Sequence, residues 1–205
     1  MQSINKLINP EETVTEFFIE QSANIFFDIG KKATANIFFF MAGQDVNLTV
    51  RLIGENAHVN IKAVYLSDTH QDNKLNVSVE HKAQKTFSSQ LIKGIGKGNS
   101  YSNFYGVIKI PKDSQQCEGV QTHKALLLSD DAVIKAIPEL EIYADDIKCA
   151  HGSSIGNLDK NVLFYLQSRG INEVEAKRIL IKAFLLSDMP TEFEQYIIQG
   201  MNSHE

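Results

Sequence analysis

Residues 138–169 read PELEIYADDIKCAHGSSIGNLDKNVLFYLQSR, and this stretch contains the change of pattern that decides the fold. Its first part alternates apolar and polar residues, as a half-buried strand does. Its last part places Leu163 and Leu166 three residues apart after Asp159, which is typical of a capped amphipathic helix. A series of strands therefore gives way to a series of helices near Gly156.

The chain upstream of this point consists of short segments in which apolar and polar residues alternate. Because successive side chains of a strand point to opposite faces, each segment has one apolar face. The apolar positions include Leu48, Val50 and Leu52 in one segment, and similar runs occupy residues 59–63, 75–79 and 104–110. Turn-forming clusters separate the segments at residues 54–56, 68–73, 94–102 and 112–119.

Many short strands joined by polar turns are typical of a sandwich, a barrel or a β-solenoid. No helix-length segment separates the strands, which disfavours a doubly wound α/β sheet. There is no clean hexapeptide repeat, so a solenoid would need irregular rungs of about 20–30 residues. The predicted domains are a β core at residues 1–156, with residues 1–15 as a candidate cap, and a helical domain at residues 157–205.

Two helices are predicted directly after the β core. The first covers Lys160–Ser168, with Asp159 as its N-cap and Gly170 just past its end. The second begins after Asn172, and the spacing from Asn172 to Glu175 is that of a capping box.

A third helix is predicted at residues 191–199, and residues 200–205 are expected to fray. An annex this small buries little apolar surface alone. We therefore expect the helices to pack on the β part or on a partner.

Composition limits the classes of function. The formal net charge of −5 argues against nonspecific binding to nucleic acid or to an anionic membrane, since both need a basic surface. Cys117 and Cys149 are too few for a disulfide framework or a self-contained thiolate metal site. The N-terminus lacks the apolar core of a signal peptide, and the most apolar run, residues 35–43, is too short to span a bilayer. These features predict a cytoplasmic protein in a reducing compartment.

Cys149 and His151 are the candidate metal ligands. They are two residues apart, so in a strand both point to the same face. A thiolate and an imidazole make half of a metal site, so another chain would have to complete it. Ile147 lies on the same face, and the alternative interpretation is that Cys149 is a small buried hydrophobic residue. From the residues alone this second interpretation is favoured, because free cysteines are often buried.

Other titratable residues have simpler interpretations. His123 would face an interface or a ligand, but a solvated or strand-edge histidine is favoured. Asp145 and Asp146 are read as turn residues, because neighbours in a strand point to opposite faces and make poor acid/base partners. Glu139 and Glu141 share a face and are read as a solvated strand edge.

The glycine-rich run KGIGKG at residues 93–98 lacks the order of a phosphate-binding loop, and no helical pattern follows it. We expect a flexible turn there.

A resemblance to a known family rests on an ordered set of residues between about Gln121 and Asp188. The set comprises Leu126-Leu127-Leu128-Ser129, PELEIYADD at residues 138–146, Cys149-Ala150-His151-Gly152, Gly156-x-Leu158-Asp159, Leu163-Phe164-Tyr165-Leu166 and Ser168-Arg169-Gly170-Ile171. This set resembles the C-terminal half of the SufB/SufD family, the scaffold proteins of the SUF iron–sulfur cluster assembly system. Weaker similarity extends back to about Asn36.

Within that family the chain is most like a short SufD. The Cys-x-His-Gly order at residues 149–152 is D-like, whereas B-type members tend to carry His-Glu at the position of His151-Gly152. B-type members also tend to carry a functional cysteine near the position of His123. Family members are usually longer, with an N-terminal helical region, so this chain is expected to be a shortened form or a fragment.

The resemblance implies a right-handed parallel β-helix followed by a small helical domain. It implies pairing with a SufB-like paralogue, or with a second copy, through the β-helix. It also implies docking of a SufC-like ABC-type ATPase through residues 159–199. Iron or a nascent iron–sulfur cluster would be held transiently at the shared interface near Cys149 and His151.

Two other functions remain open at this point. The first is a β-helix enzyme acting on polysaccharide, which would need several carboxylates on one solenoid face. The absence of tryptophan and the scattered acidic residues disfavour it. The second is a structural homodimer that has no assembly function.

Overall fold

The computed structural model describes residues 1–69 and 71–203, and within them it contains twelve strands followed by three helices. The strands are β1 (Gln2–Ile8), β2 (Thr13–Ile19), β3 (Ala23–Ile29), β4 (Thr34–Met41), β5 (Asp45–Leu52), β6 (His58–Ser67), β7 (Asn73–His81), β8 (Phe87–Gly96), β9 (Tyr101–Ile110), β10 (Cys117–Leu127), β11 (Val133–Ile142) and β12 (Ile147–Gly156). The helices are α1 (Lys160–Ser168), α2 (Glu173–Leu186) and α3 (Thr191–Ser203).

Consecutive strands alternate between two six-stranded parallel sheets. Sheet A has the order β1-β3-β5-β7-β9-β11, and sheet B has the order β12-β10-β8-β6-β4-β2. Each rung therefore contributes one strand to each sheet and stacks on the rung before it. This is a parallel β-helix followed by a helical part, and it confirms the predicted fold class.

The rungs lengthen along the chain. Gln2 pairs with Ala23, 21 positions later, whereas Tyr101 pairs with Val133, 32 positions later. The predicted rung length of about 20–30 residues holds except in the last rungs, which are slightly longer. A drift of this size removes any fixed sequence period, which explains why no short repeat is visible.

The corners that lead from sheet A to sheet B repeat in structure but not in sequence. The corner residues Glu11, Lys32, Asn56, Lys85 and Gln116 all have left-handed backbone, with φ values of 55–65°. Each backbone N–H donates to a carbonyl at the corner of the next rung, for example Lys32 to Glu55 at 3.0 Å and Lys85 to Gln115 at 2.9 Å. Left-handed backbone is costly for residues other than glycine, and these stacked hydrogen bonds offset the cost.

The lumen between the sheets is apolar in the early rungs and more polar in the later ones. On sheet B, Ile37 pairs with Ile61, and the same row continues through Gln90 and Gln121 to His151. The first four of these residues face the buried interior. The last rung therefore opens onto a polar part of the lumen.

The outer face of sheet A carries a ladder of alternating charge. Along one row of register partners lie Asp28, Arg51, Glu80, Lys109 and Glu141. Ion pairs join the first two and the last two of these residues. Cross-strand pairs of opposite charge stabilise a sheet, so this row favours the observed register.

The predicted caps of the first two helices are confirmed. The Asp159 side chain accepts from the backbone N–H of Asn161 and Val162, and the Asn172 side chain accepts from that of Glu175. No helix in the described part of the chain is long and apolar enough to cross a membrane.

The expected fraying after residue 199 is wrong for most of the segment. Helix α3 continues to Ser203, with Gly200 and Met201 buried, while residues 204–205 lie outside the described residues. A Cβ on Gly200 would lie 2.0 Å from Cζ of Phe40, so glycine lets the helix approach the sheet. Packing on sheet B thus holds the end of this helix in place.

The expected flexible turn at residues 93–98 is wrong for its first four residues, whereas Gly98 lies in a turn. Those first four residues belong to strand β8 and are buried. Gly94 is required there because a Cβ would lie 2.0 Å from the ring of Tyr65. Gly94 therefore makes room for a buried aromatic side chain.

Residues 1–15 form β1 and the beginning of β2, which together build the first rung. Lys6 and Glu16 point inward, as their register partners Phe27 and Ile37 do. Their charged groups lie 2.5 Å apart across the lumen. The apolar interior is therefore bounded at this end by an ion pair.

Candidate functional site at the last rung

Cys149 and His151 lie on β12, the outermost strand of sheet B. Cys149 pairs with Gly119 and His151 pairs with Gln121, and both partners are buried. Register partners share a face of the sheet, so both candidate ligands point toward the lumen. The shared face predicted from their spacing is therefore present.

These two side chains lie at an open end of the lumen. Cys149 is half-buried, and residues 150–156 of β12 are exposed. Within the described residues, β12 pairs with β10 alone, and β11 pairs with β9 alone. Each strand of the last rung therefore has one free hydrogen-bonding edge beside the candidate ligands.

Cys149 has an environment that is partly apolar. It packs, with Ile147, against the buried cluster of Ile108, Ile110 and Cys117. Burial raises the pKa of the Cys149 thiol above its usual value, although the backbone N–H of Gly119 acts in the opposite direction. The thiol is therefore protonated at neutral pH, and a metal ion would have to displace that proton to bind.

The apolar cluster on one side of Cys149 agrees with its interpretation as a small buried hydrophobic residue. The open end of the lumen on its other side agrees with its interpretation as a metal ligand. His151 is exposed and available as an imidazole ligand. Among the described residues there is no group of three or more His, Cys, Asp or Glu side chains that would hold a metal ion. Cys149 and His151 are two candidate ligands, fewer than a metal site needs.

The interpretation of His123 as a solvated or strand-edge histidine is wrong. His123 is fully buried, and β10 lies between β8 and β12 rather than at an edge. Its ring stacks on Phe104 with centroids 5.2 Å apart, and its nitrogens lie 2.9 Å from Tyr65 Oη and 3.1 Å from Ser153 Oγ. Burial lowers the pKa of His123 to about 4, so the ring is neutral at physiological pH.

Two glutamines continue the row of His151 into the lumen. Gln121 Nε2 donates to Gln90 Oε1 at 2.9 Å. Within the described residues, Gln121 Oε1 and Gln90 Nε2 have no hydrogen-bond partner although both side chains are buried. Buried amide groups are normally satisfied by protein or by ordered water, so these two atoms are an exception inside the lumen, one rung or two from His151.

The carboxylates upstream of the site do not join it. Asp145 and Asp146 lie in the bend between β11 and β12, as predicted. Glu139 lies 2.7 Å from Tyr105 Oη, and Glu141 pairs with Lys109. Both lie on β11 at the edge of sheet A, also as predicted. The acidic residues of sheet A alternate with basic ones, which gives no support to a polysaccharide-active groove.

Three neighbours of the candidate ligands were not predicted from the sequence. Gln121 and the buried His123 become neighbours of the site only because β10 and β12 are offset by 30 positions, whereas Ser153 lies on β12 itself, two residues after His151. The sequence contains this information, since Gln121-Thr122-His123 lies one rung, or 30 positions, before His151-Gly152-Ser153. It becomes readable once the rung length at this end of the solenoid is known.

The fold and the candidate site together define a class: a parallel β-helix with a helical annex, and a thiol and an imidazole on one face of its last rung. A family model described as the SufBD core domain of SUF system FeS cluster assembly matches residues 14–184. The chain therefore belongs to the SufBD family, and it is most like SufD.

Curated relatives agree with this assignment. SufD of Escherichia coli is 33% identical over 159 residues, covering 76% of this chain and 38% of the relative. SufD of Bacillus subtilis is 31% identical over 147 residues, covering 70% of this chain and 34% of the relative. A SufBD family protein of Synechocystis is 39% identical over 119 residues, covering 58% of this chain and 25% of the relative. The chain thus spans between a quarter and two fifths of the length of these relatives.

Proposed function

We propose that this chain is a scaffold subunit in iron–sulfur cluster assembly. It pairs through the last rung of its β-helix with a SufB-like paralogue or with a second copy. In that pair, Cys149 and His151 contribute two ligands to iron or to a nascent cluster, which is the cargo and not a resident cofactor.

The observation that carries this proposal is the position of both ligands at the open last rung. Each side chain points into the lumen, beside strand edges that have no partner within the described residues. A strand edge is a template for pairing with another chain. A second β-helix that adds its own strands there would bring its side chains next to Cys149 and His151, and so complete the candidate metal site.

The second part of the proposal is that the helices bind an ATPase. α1 has no buried residue, and Phe164 and Tyr165 on it are 71% and 56% exposed. Exposed aromatic side chains grouped on one helix are typical of an interaction surface. We assign this surface to a SufC-like ABC-type ATPase.

The test is co-purification of the chain with a SufB-like paralogue and a SufC-like ATPase, read by size-exclusion chromatography with light scattering. We expect a stable complex. A lone monomer or homodimer that binds neither partner would contradict the pairing and the docking.

The role of the ligands is tested in the same complex. Cys149→Ser together with His151→Ala should leave the mass of the complex unchanged and slow cluster formation by about tenfold or more. His58→Ala is the matched control, because His58 is also exposed but lies on β6. If the double variant forms clusters at the wild-type rate, these two residues are not ligands of the cargo.

ATPase docking is tested with Phe164→Asp and with the charge reversal Lys182→Glu on the exposed face of α2. Both should weaken binding of the ATPase without lowering the thermal stability of the chain. Tyr101→Asp serves as control, since Tyr101 is a partly exposed aromatic residue on β9. Normal ATPase binding by both helix variants would show that the docking surface lies elsewhere.

A further inference from the structure

The C-terminal end of α2 lies over a buried lysine of sheet B. Lys93 on β8 has a side chain that is 1% exposed. Its Nζ donates to Phe184 O at 2.8 Å, to Ser187 Oγ at 2.6 Å and to Ser187 O. These three acceptors use all three protons of the ammonium, so a charge that is expensive to bury is fully hydrogen-bonded.

The position of this ammonium also suits the helix it contacts. The last carbonyls of a helix have no partner within the helix, and they lie at the negative end of its dipole. The Asp188 carboxylate lies 3.7 Å from Lys93 Nζ, and the Phe184 ring centroid lies 5.5 Å away. Lys62, on the adjacent strand β6, donates to Asp188 O. Two neighbouring strands therefore hold the corner between α2 and α3.

The first half of α2 has little support from the sheet, whereas Ile181 and Leu185 in its second half pack on the apolar cluster of sheet B. The buried residues of α2 are Ala176 and Leu185, and Val174 near its beginning is 78% exposed. A groove of about 540 Å³ lies between the first half of α2 and the sheet, with Leu66 and Ile95 among its lining residues. Helix α1, which has no buried residue, packs mainly against α2. We call α1 and α2 together the arm.

Helix α3 is attached differently. Phe193 and Ile197 are fully buried against the apolar outer face of sheet B, where Phe38 and Phe40 lie. The close approach of Gly200 to Phe40 adds to this contact. α3 is thus fixed along its length by apolar packing. α2 is attached to the sheet at its C-terminal end, through Lys93 and through the apolar contacts of Phe184 and Leu185, and Arg178 donates to Asn202 on α3 at 2.8 Å.

We propose that Lys93 is a latch that holds the last turn of α2, at Phe184 and Ser187, to the β-helix, and that on its release the arm turns about Asp188 over the groove while α3 stays in place. The left-handed backbone of Asp188, with φ of 64°, marks the point where the chain turns. Releasing the latch would withdraw an ammonium from its three acceptors, so the arm has a held position and a released position rather than a continuum. This inference concerns the chain alone and does not depend on the proposed function.

The test is hydrogen–deuterium exchange, read by mass spectrometry, on the wild type and on Lys93→Met. The substitution keeps the length of the side chain and removes the charge. We expect exchange in peptides over α1, α2 and the corner to become about tenfold faster or more, because buried hydrogen bonds to a charged group are lost. Peptides over α3 and over strands β4–β8 should keep their wild-type rates.

Lys124→Met is the matched control. Lys124 is the register partner of Lys93 on β10 but is exposed, and its positive charge repels that of Lys93, so its loss should not accelerate any of these rates. Wild-type exchange over α2 in Lys93→Met would overturn the proposal. Equal acceleration over α2, α3 and the sheet would also overturn it, because Lys93 would then contribute only to global stability.

If Lys93→Met fails to fold, Ser187→Ala gives the same test. It keeps the ammonium and removes one of its acceptors. A smaller acceleration confined to the arm and the corner is expected, and no change there would overturn the proposal.

Discussion

His123 joins the last rung to the interior of the solenoid. One ring nitrogen lies 2.9 Å from Tyr65 Oη within the lumen, and the other lies 3.1 Å from Ser153 Oγ on β12. Its ring also stacks on Phe104. The same side chain therefore fills volume, satisfies a buried hydroxyl and anchors the strand that carries both candidate ligands.

Replacing His123 with alanine should lower the free energy of unfolding by about 2–4 kcal/mol. The substitution opens a cavity beside Phe104 and leaves the buried Tyr65 hydroxyl without its partner. Urea unfolding followed by circular dichroism measures the loss. His58→Ala, at an exposed position, should stay within about 0.5 kcal/mol of the wild type. Equal stabilities for the two variants would show that the buried hydrogen bonds of His123 contribute nothing.

The two buried histidines also predict a pH dependence. Burial lowers the pKa of His81 and of His123 to about 4, whereas an unfolded histidine titrates near 6.5. Between these values the unfolded chain binds more protons, so stability is lost as the pH falls from about 6.5 toward 4. Each histidine should cost about 2 kcal/mol between pH 7 and pH 5.

Urea midpoints at the two pH values measure this effect. His123→Phe removes one of the two groups and should show about half of the wild-type dependence, whereas His58→Ala should retain all of it. A wild-type protein that is equally stable at both values would mean that these imidazoles are not held neutral in the folded state.

At the scale of the elements, the charge ladder of sheet A determines how the strands align. Arg51 lies between Asp28 and Glu80, and its hydrogen bond to Asp28 raises its pKa further. The Arg51 side chain is half exposed, so its contribution is modest and sensitive to salt.

Arg51→Glu should lower the urea midpoint, because three carboxylates would then lie side by side in one row. The lowering should be smaller at high salt, since screening weakens the repulsion. Lys135→Glu is a suitable control, because its register partner on β9 is the uncharged Asn103. A loss in Arg51→Glu that does not change with salt would exclude the electrostatic explanation.

Helix caps and the apolar faces of strands are the features of the elements that the sequence predicts well. Asp159 and Asn172 cap their helices through side-chain contacts two or three residues away, and such contacts are visible in any short window. The prediction of a turn at residues 93–96 is wrong because it also used only a short window of sequence. A local reading sees turn-forming glycines, whereas the partners of this run are Tyr65 and the end of α2, far away in sequence.

At the scale of the whole molecule, the two ends of the lumen differ. At the first rung, Lys6 and Glu16 form an ion pair across the interior. At the last rung, Ile155 is 41% exposed and lies on the same face of β12 as the candidate ligands. Inward-pointing charges discourage the addition of further strands, so the last rung is the better surface for pairing.

Ile155→Lys should therefore abolish pairing while the chain itself remains folded. The substitution places an unpaired charge inside the end of the lumen, where a second β-helix would have to bury it. Light scattering of the mixture with the SufB-like paralogue measures the loss of the complex. Ser154→Lys, on the outward face of the same strand, should pair more strongly than Ile155→Lys. Normal pairing by Ile155→Lys would show that the complex forms through another surface.

The sequence by itself determined that the chain is a series of strands followed by helices, which face of the alternating strands is apolar, and where the helices begin. These features depend on spacings of two to four residues, so a short segment of the sequence is enough to predict them. It also placed Cys149 and His151 on one face, because that statement needs only the alternation of a strand.

The tertiary structure alone decided how the rungs stack. Neighbours in the stack are 21–32 positions apart, and that offset drifts along the chain, so no window of the sequence contains both partners. Stacking determines which corner residues adopt left-handed backbone, although Glu11, Lys32 and Gln116 share no residue type. It also buries His123 and places Lys93 beneath α2, because the free energy of each contact depends on chain segments that meet only when the fold is complete.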